Sequence, residues 1–316
     1  MSDSQVSVTV IGTGDIGRGW AALCVAAGWP VWIFDNEAHA VESATTEISE
    51  RARRLVTLDR ALFTDVEEGL RSLRVGRSLL QACNDAQWII EAVPEDLITK
   101  QKLFEALESV TPNARIVTSS SSTLLAKDIA ARCRRPDRVA VAHPQNPPEL
   151  IPLVELVPGP QTDGALLDLL KGWLRALNRI PVIIRKPVPG NIAGRMAAAV
   201  WREAIDLVLT GVIDVDDLDR AVSVGPALGW AAAGPHLSYH LAAGKRGVTG
   251  FLQQLLGTFE SLWSGLPTWS RLEPQQQREL VGAIERAYAG QIEQIRISRD
   301  RRLAGILRGL EQARQG

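Results

Sequence analysis

The chain has 316 residues, 46% hydrophobic and 22% charged, with a formal net charge of -1. That length holds two domains with their own cores. A near-neutral balance without blocks of like charge argues against nucleic acid or an anionic membrane surface as the main partner. No apolar run is long enough to span a bilayer, and the first five residues lack the basic start and apolar core of a secretory leader. The three cysteines, Cys24, Cys83 and Cys133, are scattered without metal-ligand spacing. They read as buried, reduced thiols of a cytoplasmic protein, and no metal site is expected. The nine tryptophans read as core or interface residues.

In chain order, a β-branched run over 6–11 leads into Gly12, Gly14 and Gly17, spaced as G-x-G-x-x-G, and a helical pattern follows. A second apolar run over 31–34 ends on Asp35, close to twenty residues after the last glycine. Strand, glycines, helix, strand and acid in this order point to a dinucleotide. Gly12 permits the tight turn, Gly14 lets backbone approach a pyrophosphate, and Gly17 lets the helix pack on the strand. The helix then presents unsatisfied N–H groups to the phosphates. Asp35 suits a ribose 2′-hydroxyl and repels a 2′-phosphate, which selects NAD over NADP. Asp15 is the discordant residue, a carboxylate inside a loop meant for an anion; capping the helix, pointing to solvent or weakening the cofactor are all open to it.

The polar, Arg-rich stretch over 37–77 reads as one long helical region. Short buried strands are expected at 88–93, 116–119, 139–142 and 154–157, with helices over 99–109 and 126–132 between several of them. A helix over 162–178 and a strand at 182–184 follow. This alternation is that of a Rossmann-type, mostly parallel α/β sheet with helices on both faces. Two prolines and a glycine over 186–190 form a linker, dividing a nucleotide-binding domain (1–186) from a smaller all-α domain (187–316). Helices are expected there over 192–210, 215–224, 248–264 and 274–314, the last with a break at Gly290.

In an open parallel sheet the ligand crevice lies beyond the carboxyl ends of the strands. The serine run over 119–122 lies at one such end, and His143 and Asn146 at the next. Glu155 stands inside an otherwise apolar strand, where a buried carboxylate needs a partner. Pairing with His143 would satisfy it, fix the imidazole tautomer and raise its basicity. His143 would then take a hydroxyl proton while hydride leaves the same carbinol carbon. Ser122 and Asn146 would stabilise the developing alkoxide.

The chain resembles the 3-hydroxyacyl-CoA dehydrogenase superfamily, within it the L-gulonate 3-dehydrogenase (lambda-crystallin) and L-carnitine dehydrogenase branch. The matching stretches are Gly-Arg-Gly-Trp-Ala-Ala over 17–22, Glu-Ala-Val-Pro-Glu-Asp-Leu over 91–97 with Lys100, and the serines over 119–122. Further on come His-Pro-Gln-Asn-Pro-Pro-Glu-Leu-Ile-Pro-Leu-Val-Glu over 143–155, Trp-Arg-Glu-Ala over 201–204, and Gly-Pro-His-Leu-Ser-Tyr-His over 234–240. The resemblance implies an NAD-dependent oxidoreductase acting on a secondary alcohol β to a carboxylate or acyl group. It implies His143 as base, Glu155 as its partner, and Ser122 and Asn146 near the reacting oxygen. Cofactor contacts would come from Ile16 and Ala92 besides the glycines, with Glu95 and Lys100 at the nicotinamide-side ribose. It also implies a homodimer through the helical second domain.

Two departures bear on the substrate. The family's Pro-Gly-Phe-Ile-x-Asn-Arg reads here with Gly194 in place of the asparagine before Arg195, and Asn191 would lie on another helix face. An arginine suited to a substrate carboxylate is replaced by Gly229, before Trp230. Both enlarge the expected pocket. Arg51, Arg53 and Arg54 offer charges to a CoA phosphate, or simply a solvated helix face. The alternative function is a catalytically silent, NAD-binding structural protein of the crystallin type, which the two glycines favour and the intact His143–Glu155 set opposes.

Overall fold

The computed structural model describes residues 6–62, 65–111, 114–290 and 292–315. The first five residues, on which the expectation about a leader rests, lie outside them. The chain divides into two compact units, Met1–Arg195 and Met196–Gly316.

The first unit runs β1 (Val8–Ile11), α1 (Asp15–Ala26), β2 (Val31–Phe34), α2 (Ala38–Thr57), α3 (Val66–Arg71), β3 (Leu73–Val75), α4 (Leu79–Cys83) and β4 (Trp88–Glu91). It continues with α5 (Leu97–Val110), β5 (Ile116–Ser119), α6 (Ala126–Ile129), β6 (Val139–Pro144), β7 (Leu153–Pro158), α7 (Gly164–Ala176) and β8 (Ile180–Ile183). The eight strands form one sheet in the order β3-β2-β1-β4-β5-β6-β7-β8. Every pairing is parallel except β6 with β7. The central strands β1, β4 and β5 are buried at every position. Such strands read as unbroken β-branched runs because both faces of a parallel sheet are covered. The order reverses beside β1, which opens a ligand crevice at that switch point.

Trp88 lies at the centre of this core, fully buried, its indole N–H donating to Thr118 Oγ1 at 2.9 Å. Trp20 meets it edge-on at 5.7 Å, and Trp173 lies tilted against it at 6.1 Å. Burial pushes the Cys24 and Cys83 thiols up to about 12 and that of half-buried Cys133 up to about 11, which keeps all three as unreactive thiols. Arg179, 4% exposed, donates to the carbonyls of Leu177, Pro148 and Ile151, so it pins the connection from β6 to β7.

Two expectations fail locally. The stretch over 37–77 is not one helix: α2 stops at Thr57, Asp59 takes a left-handed φ of 56°, and β3 forms the sheet edge. A three-residue, largely exposed edge strand carries too little apolar pattern to be visible. After β8, α8 (Asn191–Leu209), which runs from the first unit into the second, and α9 (Val215–Val224) are followed by the unanticipated α10 (Pro226–Ala242). Its prolines mask it. Pro226 occupies the first helical position, where a missing N–H does no harm. Pro235 follows a kink at Gly234, whose φ is 72°. The remaining helices are α11 (Gly247–Gly265), α12 (Pro274–Ala287) and α13 (Ile292–Gln315).

Gly69 of α3 packs against α1 so closely that an added Cβ would sit 2.2 Å from the Val25 carbonyl oxygen. Gly69→Ala should destabilise the protein by about 1–3 kcal/mol in urea unfolding. Gly172→Ala, in α7 with open space around the new methyl, should stabilise it by roughly 0.5–1 kcal/mol.

Candidate active site

The glycine loop joins β1 to α1 at the switch point. Gly12 has a φ of 94°, and a Cβ there would lie 2.6 Å from the Ala92 carbonyl. The loop therefore crosses directly over the end of β4. A Cβ on Gly17 would lie 1.9 Å from the Gly12 carbonyl oxygen, while nothing stands within 4 Å of one on Gly14. The loop is closed on the protein side and open above Gly14, a cradle that fits a diphosphate. Ile16 is half-buried in the first turn of α1. Asp35, one residue past β2, accepts from the Thr13 N–H at 2.8 Å, Thr13 Oγ1 at 2.9 Å and the Glu37 N–H at 3.1 Å. Partial burial raises this carboxyl, but those donors outweigh it and hold it below the usual carboxylate range, so it stands ionised beside the loop.

At the ends of β4 and β5, parallel register sets Glu91 beside Ser119. Glu91 is fully buried and takes Lys100 Nζ at 2.6 Å and Ser119 Oγ at 2.5 Å. Burial lifts the Glu91 carboxyl above the usual range, and the Lys100 ammonium opposes that rise. Lys100, 1% exposed, also donates to the Val93 carbonyl at 3.0 Å and lies 3.5 Å from Glu95 Oε2. The other oxygen of Glu95 receives Ser121 Oγ at 2.5 Å and the N–H and hydroxyl of Thr123 at 3.0 and 2.8 Å. Partial burial raises the Glu95 carboxyl, and these bonds, Ser121's foremost, bring it below its ordinary value. The protons of Lys100 are directed to protein acceptors.

Antiparallel register sets His143 of β6 directly opposite Glu155 of β7. His143 Nδ1 lies 2.9 Å from Glu155 Oε2; the carboxylate is 1% exposed and the imidazole 14%. An ionised carboxylate only accepts, so Nδ1 carries the proton and Nε2 is the basic nitrogen. Glu155 Oε1 accepts the N–H groups of Ile192 and Ala193 at 2.8 and 3.0 Å, the first turn of α8. Gln145 adds its amide to Glu155 Oε2 at 3.4 Å. Glu155 thus joins the histidine to a helix N-terminus, where negative charge is favoured.

Ser122 and Asn146 are exposed, each in the segment that follows its strand, β5 and β6. Asn191 differs from expectation. It opens α8 with a left-handed φ of 51°, is 6% exposed, and its amide Nδ2 reaches the Ser122 carbonyl at 3.5 Å. Helical periodicity does not govern a residue at that boundary. Gly194 and Arg195 follow in the same turn, with nothing within 4 Å of a Cβ on Gly194. Gly229 and Trp230 belong to α10 of the second unit, and Gly229 is equally open. Gln145, Ser121 and Glu91 escape sequence reading. Only Glu91 leaves a trace, an acid ending an apolar strand.

Residues 7–187 match the NAD-binding domain of 3-hydroxyacyl-CoA dehydrogenase, and residues 190–276 match its C-terminal domain. L-carnitine dehydrogenase of Streptomyces griseus is 34% identical over 95% of this chain and 89% of its own length. The enzyme of that name from Burkholderia mallei is 33% identical over 97% and 95%. Among solved structures, 5-formyl-3-hydroxy-2-methylpyridine 4-carboxylic acid 5-dehydrogenase, an NAD+-dependent dismutase, superposes with a TM-score of 0.82 at 26% identity, covering 98% of this chain and 99% of its own. The 3-hydroxyacyl-CoA dehydrogenase of Archaeoglobus fulgidus gives 0.65 at 25% identity, covering 97% and 100%. The cradle over Gly14, the acid after β2 and these matches agree, and the chain belongs to the 3-hydroxyacyl-CoA dehydrogenase family of NAD-dependent oxidoreductases.

Proposed function

We propose that the chain oxidises the 3-hydroxy group of a small, free 3-hydroxy acid to a ketone, with His143 as general base. The observation that carries this reading is the His143–Glu155 contact at 2.9 Å, with the acid buried and itself held by α8. NAD, when bound over the glycine loop, supplies the hydride acceptor. His143 Nε2 takes the hydroxyl proton, and Glu155 stabilises the imidazolium that forms. Ser122 and Asn146 stand beyond the same strand ends, as donors for the oxygen that gains charge. Asn191 braces the Ser122 backbone from α8. Gly12, Gly14, Ile16, Gly17, Asp35 and Ala92 form the cofactor cradle, and Glu95 faces the ribose with Lys100 holding it in place. Gly194 and Arg195 adjoin the substrate.

The free acid is favoured over a CoA ester because the arginines available for a CoA phosphate are engaged elsewhere. Arg53 forms two bonds with Glu67, at 2.7 and 3.0 Å, and Arg51 is held by Asp15 at 2.6 Å. Two of the relatives named above, those of Streptomyces griseus and Burkholderia mallei, are named for L-carnitine, itself a free 3-hydroxy acid.

The second unit supports a homodimer. Among its described residues the buried large apolar side chains are Ile205, Leu218, Phe251 and Leu280, and α10 buries none. Leu237, Leu252, Leu256 and Trp263 stay exposed around an apolar groove of about 600 Å³ that Tyr239, Phe251 and Phe259 floor. Apolar surface of this extent calls for a partner, and a second copy is the one a closed symmetry supplies.

NADH formation over a panel of 3-hydroxy acids and 3-hydroxybutyryl-CoA tests the reaction. Turnover of a free acid supports it, and turnover of the thioester alone, or of none, rejects it. His143→Ala should lower turnover by about a thousandfold and leave the NADH dissociation constant within about twofold; unchanged turnover would remove His143 from the role of base. Lys100→Met strands the buried Glu91 carboxylate and should cost about 3–5 kcal/mol in urea unfolding. Adding Glu91→Gln should recover much of that loss. Sedimentation should find a particle of twice the chain mass, with Leu237→Asp and Trp263→Asp shifting it to monomer.

A further inference from the structure

The acid inside the glycine loop has a partner that the sequence does not announce. Arg51 of α2 places Nη2 2.6 Å from Asp15 Oδ1 and Nη1 3.2 Å from the Asp15 carbonyl oxygen. The same guanidinium lies 3.5 Å from Glu149 Oε1 and 3.9 Å from Glu47 Oε2. Its side chain is 10% exposed, whereas that of Asp15 is 70% exposed. Glu47 is in turn held by Arg18 Nη1 at 2.6 Å. Three acids and two arginines from α1, α2 and the segment between β6 and β7 thus form one charged cluster beside the loop. Gly19 makes the approach possible, because a Cβ there would fall 2.6 Å from Glu149 Oε2 and 2.7 Å from Pro148 Cδ.

Asp15 begins α1, one residue after Gly14, where the loop is open. An unscreened carboxylate there opposes the negative charge of a diphosphate bound over Gly14. Two forces therefore compete at one helix N-terminus: its N–H groups and dipole attract phosphate, and its own side chain repels it. A guanidinium held almost out of solvent, with two bonds to the offending residue, cancels the repulsion. Arg51 is also held by Glu47, one turn earlier in α2, and by Glu149 from the segment between β6 and β7.

We propose that Arg51 is a positioning residue for the cofactor, which tunes its affinity by neutralising Asp15 and holding that carboxylate to the α2 side of the loop. It acts through Asp15, not by touching phosphate. The loop keeps its acid, and the affinity for the diphosphate depends on an arginine outside the glycine motif. This rests on the family's NAD-binding domain and is independent of the substrate proposed above.

The test uses the full chain and two probes, NADH and ADP-ribose, which share the diphosphate. Dissociation constants for the wild type, Arg51→Gln, Asp15→Asn and the double variant are measured by titration calorimetry at low and high salt, with thermal unfolding in parallel. Arg51→Gln should weaken both probes about tenfold at low salt, and the gap should narrow at high salt, where repulsion is screened. Asp15→Asn should bind both at least as tightly as wild type, and the double variant should return to within about twofold of Asp15→Asn. A double variant as weak as Arg51→Gln would mean that the guanidinium contacts phosphate itself, which overturns the proposal. So would weaker binding by Asp15→Asn alone, a readout that stands even if Arg51→Gln does not fold.

Discussion

The site depends on one buried charge. Glu155 interrupts an apolar strand, is 1% exposed, and receives His143, Ile192 and Ala193. A carboxylate buried in that place needs such donors. The donors come from two other elements, β6 and α8, so satisfying one acid fixes three things together: the register of β6 against β7, the tautomer of His143 and the point where α8 starts. The antiparallel pairing of β6 and β7 is the means. It is the single exception in an otherwise parallel sheet, and it faces the acid with the histidine across the ladder instead of along it.

The same logic explains which parts of the molecule can be read from its residues alone. The nucleotide cradle is legible because its steric demands fall on glycine. Gly12 needs a positive φ and Gly17 a missing Cβ, and no other residue meets those demands. The parallel sheet is legible because strands buried on both faces become continuous apolar runs. Glu155 points to His143 because an acid in such a run requires a nearby donor.

What escapes the sequence is of a different kind. The edge strand β3 is short and wet, and α10 carries prolines at positions where a helix tolerates them. Asn191 reaches Ser122 because its backbone is left-handed at a helix boundary, and no periodic rule extends there. Gln145 and Ser121 act on charges set by residues ten and twenty-six positions away. Arg51 lies thirty-six residues from Asp15, and only the packing of α2 on α1 brings them together. Contacts that depend on how elements pack leave no local signature.

Three acids near these strand ends, Glu91 and Glu155 buried and Glu95 exposed, differ in what they can exchange. Glu91 is paired with an ammonium whose protons go to Glu91, Val93 and the neighbourhood of Glu95. That ion pair is closed, and moving a proton from Lys100 would strand a charge in the core. Glu95 is held by hydroxyls and a backbone N–H, which orient a carboxylate but offer no basic nitrogen. Only Glu155 is paired with a group that has a second site for a proton. When His143 Nε2 gains one, the charge appears beside an acid already ionised and anchored by α8, so the surroundings need not reorganise. The proposed role of His143 in proton abstraction therefore rests on the partner each acid has, with burial alone insufficient to distinguish Glu155 from Glu91.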